Sequence, residues 1–268
     1  MKTVDLSNEK IIINKEHTSK GNQKKWFSDG KWYKADFMGY EGLAEVVVSD
    51  LLSKSGINDF VKYEPVMIRT GDKLITGCVS DSFLNANEEF VPIERMHRLF
   101  FGKGLAKTLS EISGADRKIK YTADFIDNAA GLDNSGKYIT ELIEIDALFL
   151  NEDRHTNNIA VIRNTDSGKF RLAPVFDNGL SLLSDTNDYP VDADINKCLN
   201  KIEAKPFSTS FDEQLDEAVK LYGYQMKWNI NKTDVYNSLS LVSEYYSDDI
   251  LRRAESVILS QMRKFGII

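Results

Sequence analysis

The segment ALFLNEDRHTNNIAVI, residues 147–162, constrains the chain most tightly. An apolar run that reads as a helix end meets one that reads as a strand, and the junction holds Asp153, Arg154, His155, Asn157 and Asn158. A plain turn needs only one or two such residues. Beyond it, NIAVIRN and FRLAPVFD read as two short strands joined by TDSG, and APVFDNG puts Asp177 at a strand end before Gly179. An Asp, an Asn five residues later and an Asp after a hairpin is the arrangement phosphotransferases use. The first Asp accepts or orients the attacking hydroxyl, and the Asn and second Asp hold magnesium. Hard oxygens on separate segments let such an ion bridge ATP phosphates. Read alone, the same residues also serve as caps and turn formers.

The stretch before this junction is strand-rich over its first ninety or so residues. KIIIN is a short apolar run, KWYKADF alternates, and YEPVMIRTGDKLITGCV holds two β-like runs around Thr70-Gly71-Asp72. Between them, YEGLAEVVVSDLLSKSG places Leu43, Val46, Val47 and Leu51 at helical spacing, with a stop at Gly56. From Pro92 helices dominate: PIERMHRLFFGKGLAKTLSEISG starts with Pro and ends with Gly, KYITELIEIDALFL carries one apolar stripe, and the chain from Phe211 reads as amphipathic helices. At 268 residues, 42% hydrophobic, the chain can bury a core as one large domain or two lobes. The expected architecture is α+β and bilobal: a β-rich N-lobe over 1–88 and a helical C-lobe over 89–268, with the boundary near 84–92.

The first lobe offers partners for the junction. A kinase needs a strand lysine for the ATP α/β-phosphates and a helix glutamate to hold it. Lys34 stands in an otherwise aromatic and apolar strand, sharing a face with Trp32. Glu41 and Glu45 follow one turn apart on the next helix, and either can reach it; Glu45 is favoured as the deeper of the two. Upstream, HTSKGNQKKW sets Gly21 among small and polar residues, which suits a loop whose N–H groups approach phosphates, with Lys20, Lys24 and Lys25 adding attraction. A snorkelling lysine and an exposed basic turn are the plainer readings of these residues.

Composition removes other classes. A net charge of −7 argues against broad, charge-driven nucleic-acid binding. Cys78 and Cys198 form no CxxC and read as buried fillers. The N-terminal residues carry charges throughout, so neither a signal peptide nor a membrane span is read, and the expectation is a soluble, cytoplasmic protein, with export as an effector left open. FFGKGLAKTLS lacks the upstream Gly of a Walker A loop, and DTNDYPVDAD lacks the Gly and terminal Glu of a calcium loop.

With these residues in place, the chain resembles the HipA-like Ser/Thr kinases of bacteria, in their compact CtkA-type form. The resemblance runs from about Thr18 to Leu183. TSKGNQKK is similar to the family's S-x-x-G-x-Q-P-K phosphate loop, with Lys24 where Pro is usual; WYK supplies the strand lysine; EVVVSDLLSKSGI matches the helix whose leading Glu faces it; NEDRHTNN followed by LAPVFDNG matches the D-x-H-x-x-N and Y/F-D pair. The resemblance implies a protein-kinase-like fold that transfers the ATP γ-phosphoryl group to Ser or Thr hydroxyls of a protein substrate. It makes Asp153 the base, sets Lys34 and His155 beside it in the catalytic group, His155 to contact phosphate or to order the loop, gives magnesium to Asn158 and Asp177, and gives ATP to Ser19, Lys20, Gly21, Asn22, Gln23, Lys34 and Glu45, with Val79 and Ser80 in the hinge beside adenine. Ser19, with Thr18 next to it, becomes the candidate for inhibitory self-phosphorylation. An antitoxin or other regulator would be a further partner, although larger members bind theirs with help from an extra N-terminal subdomain and this chain starts close to the phosphate loop. The DRHxxN string also resembles the catalytic loop of phosphoinositide kinases, which keeps a lipid or small-molecule hydroxyl as the alternative acceptor.

Overall fold

In the computed structural model of the chain, residues 1–12 and 23–268 are described. They group into two compact units, each drawn from more than one stretch: Met1–Ser82 with Asp177–Lys201 and Trp228–Ile268, and Phe83–Phe176 with Ile202–Lys227.

The first unit is built on a five-stranded sheet of β1 (Thr3–Asp5), β2 (Lys25–Ser28), β3 (Lys31–Ala35), β4 (Glu64–Thr70) and β5 (Lys73–Asp81), in the order β1-β4-β5-β3-β2. Only the β1–β4 pair is parallel. Asp29 and Gly30, both at positive φ, make the two-residue β2–β3 turn, the backbone a tight hairpin requires. Leu6, Trp26, Ala35, Val66, Ile68 and Val79 form one core cluster. Against β3, β4 and β5 packs α1 (Glu41–Leu52). Its Val46-Val47-Val48 run is a poor helix former, and burial of eleven of its twelve residues overrides that propensity. Gly42 makes the approach possible: a Cβ there would lie 2.7 Å from the carbonyl carbon of Gly77 and 2.8 Å from the Tyr246 hydroxyl.

The five residues between β3 and α1 are held by carboxylates. Glu41 accepts from the N–H groups of Met38 (2.7 Å), Gly39 (3.0 Å) and Phe37 (3.2 Å). Asp36 accepts from Gly42 N–H (2.6 Å) and the Tyr246 hydroxyl (2.8 Å). Burial, and then the charge of Glu41, push Asp36 up to about 7. The unit is completed by α6 (Ile195–Lys201), α8 (Lys232–Ser240) and α9 (Asp248–Lys264). Buried Arg253 of α9 donates to the carbonyls of Tyr189, Val191 and Ala193.

The second unit has a small antiparallel sheet, β6 (Glu88–Pro92), β7 (Ala160–Asn164) and β8 (Phe170–Leu172), with β7 central. Its helices are α2 (Ile93–Phe101), α3 (Leu105–Glu111), α4 (Ala115–Ala130), α5 (Ser135–Phe149) and α7 (Phe211–Tyr222). The stretch from Pro92 to Gly114, which reads as one helix in the sequence, is two. Gly102 takes the left-handed conformation (φ 73°) and ends α2. Around the break, buried His97 places Nδ1 2.7 Å from the Lys103 carbonyl oxygen, and Glu94 accepts from Ala106 N–H at 2.8 Å. Cys78 and Cys198 are free and buried. Among the described residues no helix is long and apolar enough to cross a membrane.

Candidate active site

Two constellations of polar residues stand out, one in each unit. In the first, β3 lies between β5 and β2, so Lys34, opposite Cys78, is covered on both sides and only 7% exposed. Its Nζ lies 2.5 Å from Glu45 Oε1, 2.7 Å from Asp177 Oδ1 and 3.4 Å from the Tyr63 hydroxyl. Glu45 is the helix carboxylate that the lysine reaches, because Glu41 is already taken up by the backbone of 37–39. The second oxygen of Glu45 accepts from Asn178 N–H at 2.8 Å, so one helix residue fixes both the lysine and the chain just after Asp177. Lys25 comes within 3.9 Å of the other Asp177 oxygen.

Burial works against the charge on Lys34, but Asp177 and Glu45 outweigh it and hold the ammonium well above its ordinary pKa. Burial pushes Glu45 up, opposed by Lys34. Burial likewise pushes up the Tyr63 hydroxyl and the Cys78 thiol. The chain after Asp177 is strained: Asp177, Leu182 and Leu183 have φ of 59°, 60° and 60°, a region that side chains with a Cβ seldom enter. The Tyr40 hydroxyl, 2.8 and 2.9 Å from the carbonyl oxygens of Leu182 and Leu183, and Thr186, which donates to the Met38 carbonyl, hold it there.

The second constellation is the loop between α5 and β7. Arg154, 1% exposed, is its hub. Its guanidinium bonds both oxygens of Asp146 on α5 (2.9 and 3.0 Å) and donates to the carbonyls of Asn158 (3.3 Å) and Phe176 (2.8 Å), the latter the peptide that leads into Asp177. Burial raises the Asp146 pKa, and Arg154 opposes it. Asn151 accepts from Asp153 N–H, Asn158 Nδ2 donates to the Asp153 carbonyl (3.0 Å), and Thr156 donates to Glu94 (2.8 Å). These bonds fix the Asp153 backbone and leave its carboxylate facing His155 Nε2 at 3.7 Å and Lys205 Nζ at 3.3 Å. Within the loop, His155 Nδ1 and Asn157 Oδ1 are buried without a partner among the described residues.

Of the residues singled out in the sequence, Lys34, Glu45 and Asp177 are brought together, as are Asp153, His155 and Asn158. Val79 and Ser80 lie buried on β5, opposite Tyr33 and Trp32. Gln23 precedes β2, and Thr18, Ser19, Lys20, Gly21 and Asn22 fall outside the described residues. Sequence reasoning passes over Asp146, Tyr63 and Lys205. The signal for Asp146 is an acid inside the apolar run IDALFL; Lys205 has no local signal.

No protein-family model matches the sequence, and no curated protein matches it. Solved structures do match. The Helicobacter pylori proinflammatory kinase CtkA superposes with a TM-score of 0.65 at 17% identity, over 98% of this chain and 94% of that one. HipA of the Shewanella oneidensis MR-1 toxin–antitoxin system, solved with HipB and operator DNA, gives 0.51 at 12% identity, over 96% of this chain and 63% of that one. The chain therefore has the mixed α+β, kinase-like fold of CtkA and HipA. The resemblance to HipA-like kinases that the sequence carries is one of fold.

Proposed function

We propose that the chain is an ATP- and magnesium-dependent phosphotransferase of the HipA-like kind, acting on Ser or Thr hydroxyls of proteins. The observation that carries the reading is the buried Lys34 with Glu45 at 2.5 Å and Asp177 at 2.7 Å. An isolated buried lysine would lose its charge; the two carboxylates keep it cationic, which is the state needed to bind ATP phosphates. Asp153 takes the proton of the acceptor hydroxyl, its backbone fixed by Asn151 and Asn158 so that the carboxylate presents one geometry.

The magnesium ligands of this reading are the Asn158 amide oxygen and the Asp177 carboxylate, hard oxygens of the kind that ion takes. When bound, the ion would supply positive charge that offsets the charge of the phosphates. The phosphate-loop hydroxyls of Ser19 and Thr18 are the proposed sites of self-phosphorylation. Added charge there would oppose ATP phosphates.

The test is the intact mass of the purified protein after incubation with ATP and magnesium, beside Asp153→Asn. The expected result is an added phosphate in the parent alone, mapped to Ser19 or Thr18, and turnover in the variant lower by about 10² or more. ATP bound without transfer to any protein hydroxyl would move the acceptor to a lipid or small-molecule alcohol. Absence of ATP binding would end the kinase reading.

A further inference from the structure

We infer that Lys205 contacts the transferred phosphoryl group and supplies, beside the base, the cation that offsets its charge; the inference rests on the phosphotransfer reading above. Lys205 Nζ lies 3.3 Å from Asp153 Oδ1, and His155 Nε2 flanks the other carboxylate oxygen at 3.7 Å. The lysine comes from a distant stretch, 52 residues along the chain, which has anchors of its own. Buried Gln214 accepts from the N–H groups of Phe207 (2.8 Å) and Ser208 (3.3 Å), Ala204 N–H bonds the Thr209 carbonyl, and the Phe207 side chain is buried. A fixed backbone thus carries a flexible stem whose head reaches the base.

The pair is poorly explained as a structural tie. The Lys205 side chain is 46% exposed, and exposed ion pairs contribute little stability. Buried Arg154 already holds the loop. A terminal phosphate carries more charge than a carboxylate and is the stronger partner for a compact, mobile ammonium. In the transfer step, the bond from the acceptor oxygen to the γ-phosphorus forms as the bond to the β–γ bridging oxygen breaks. ADP leaves with that electron pair, the hydroxyl proton passes to Asp153, and Lys205 stays protonated and meets the charge on the equatorial oxygens.

The test compares the parent with Lys205→Met and Lys205→Arg, using magnesium ADP, magnesium ADP with aluminium fluoride, and single-turnover transfer from labelled ATP. Lys205→Met is expected to bind magnesium ADP within about threefold of the parent, to lose about 10²-fold or more in transfer rate, and to lose the tightening that aluminium fluoride gives. Lys205→Arg, which keeps the charge, is expected to recover part of both. Transfer by Lys205→Met within about twofold of the parent would overturn the inference and leave the kinase reading intact, as would an equal loss of ADP and ADP–aluminium fluoride affinity. If the parent binds nucleotide but transfers nothing, the aluminium fluoride comparison alone decides. A parent that binds no nucleotide overturns both readings together.

Discussion

The two constellations are held in place by different means. Around Lys34, the groups that fix the geometry are the groups proposed to do the chemistry: the lysine, Glu45 and Asp177 bond one another directly. Around Asp153, most of the fixing is done by residues with no proposed chemical role, Asn158 being the exception. Arg154 and Asp146 form a buried ion pair, Asn151 and Thr156 bind backbone and neighbours, and the Asp153 carboxylate carries none of that load. The first arrangement makes binding and stability one property. The second separates them, so a substitution can remove chemistry and leave the fold.

The largest test of this contrast is Arg154→Met. It strands Asp146 in the interior, and loss of one member of a buried pair costs about 3–5 kcal/mol. Urea unfolding would measure it, and a change below about 1 kcal/mol would mean the loop is held some other way.

Next comes pH. Asp36, raised to about 7 in the folded chain against 3.8 ordinarily, keeps a proton that the unfolded chain releases. Its contribution to stability therefore falls as pH rises from about 4 to 7. Asp36→Asn removes that dependence, so its stability relative to the parent should climb across the window, by up to about 4 kcal/mol at about 1.4 per pKa unit. Glu144, also pushed up to about 7 by burial, is present in both proteins and cancels. A difference that stays flat from pH 4 to 8 would show Asp36 ionised throughout.

Lys34→Met should cost less than Arg154→Met, about 2 kcal/mol, because burial already raises Glu45 and allows it to take up a proton when the lysine is gone. Nucleotide affinity should fall with it; intact affinity would remove Lys34 from the site. The smallest effect belongs to Asp153→Asn, within about 0.5 kcal/mol of the parent by the same unfolding assay. A loss as large as that of Lys34→Met would erase the distinction between the constellations.

How much of this was legible in the sequence follows from which interactions are local. Lys34 stands out because a charge in an aromatic strand is costly, and Glu45 lies within a short helix of it. Its depth in the helix favours Glu45 over Glu41, but the reason Glu41 is occupied, the backbone of 37–39, is displayed by no pattern. Asp153 and Asn158 are legible because turn residues in excess of a turn's needs mark a loaded junction, and Asp177 because it follows at a strand end one hairpin later. Arg154 reads only as one more polar side chain, since its partner sits eight residues back on an apolar helix. Lys205 meets Asp153 only through tertiary packing. In the fold, EEFVP hides a strand behind two glutamates and a proline, and the parallel β1–β4 pair joins segments that periodicity cannot connect.

The contact of Gly42 with Gly77 bears on how this protein can be controlled. A helix that presents Glu45 to a lysine has the position of a lever, one that could be swung in and out to make or break the pair. Here the helix is closer to a dowel. Buried at eleven of twelve positions, with backbone against backbone at Gly42, it offers an outside agent no handle and has no track along which to slide. Displacing α1 would have to undo that packing first, whereas a change of charge beside Lys34, by titration, phosphate or a competing ion, would leave it in place.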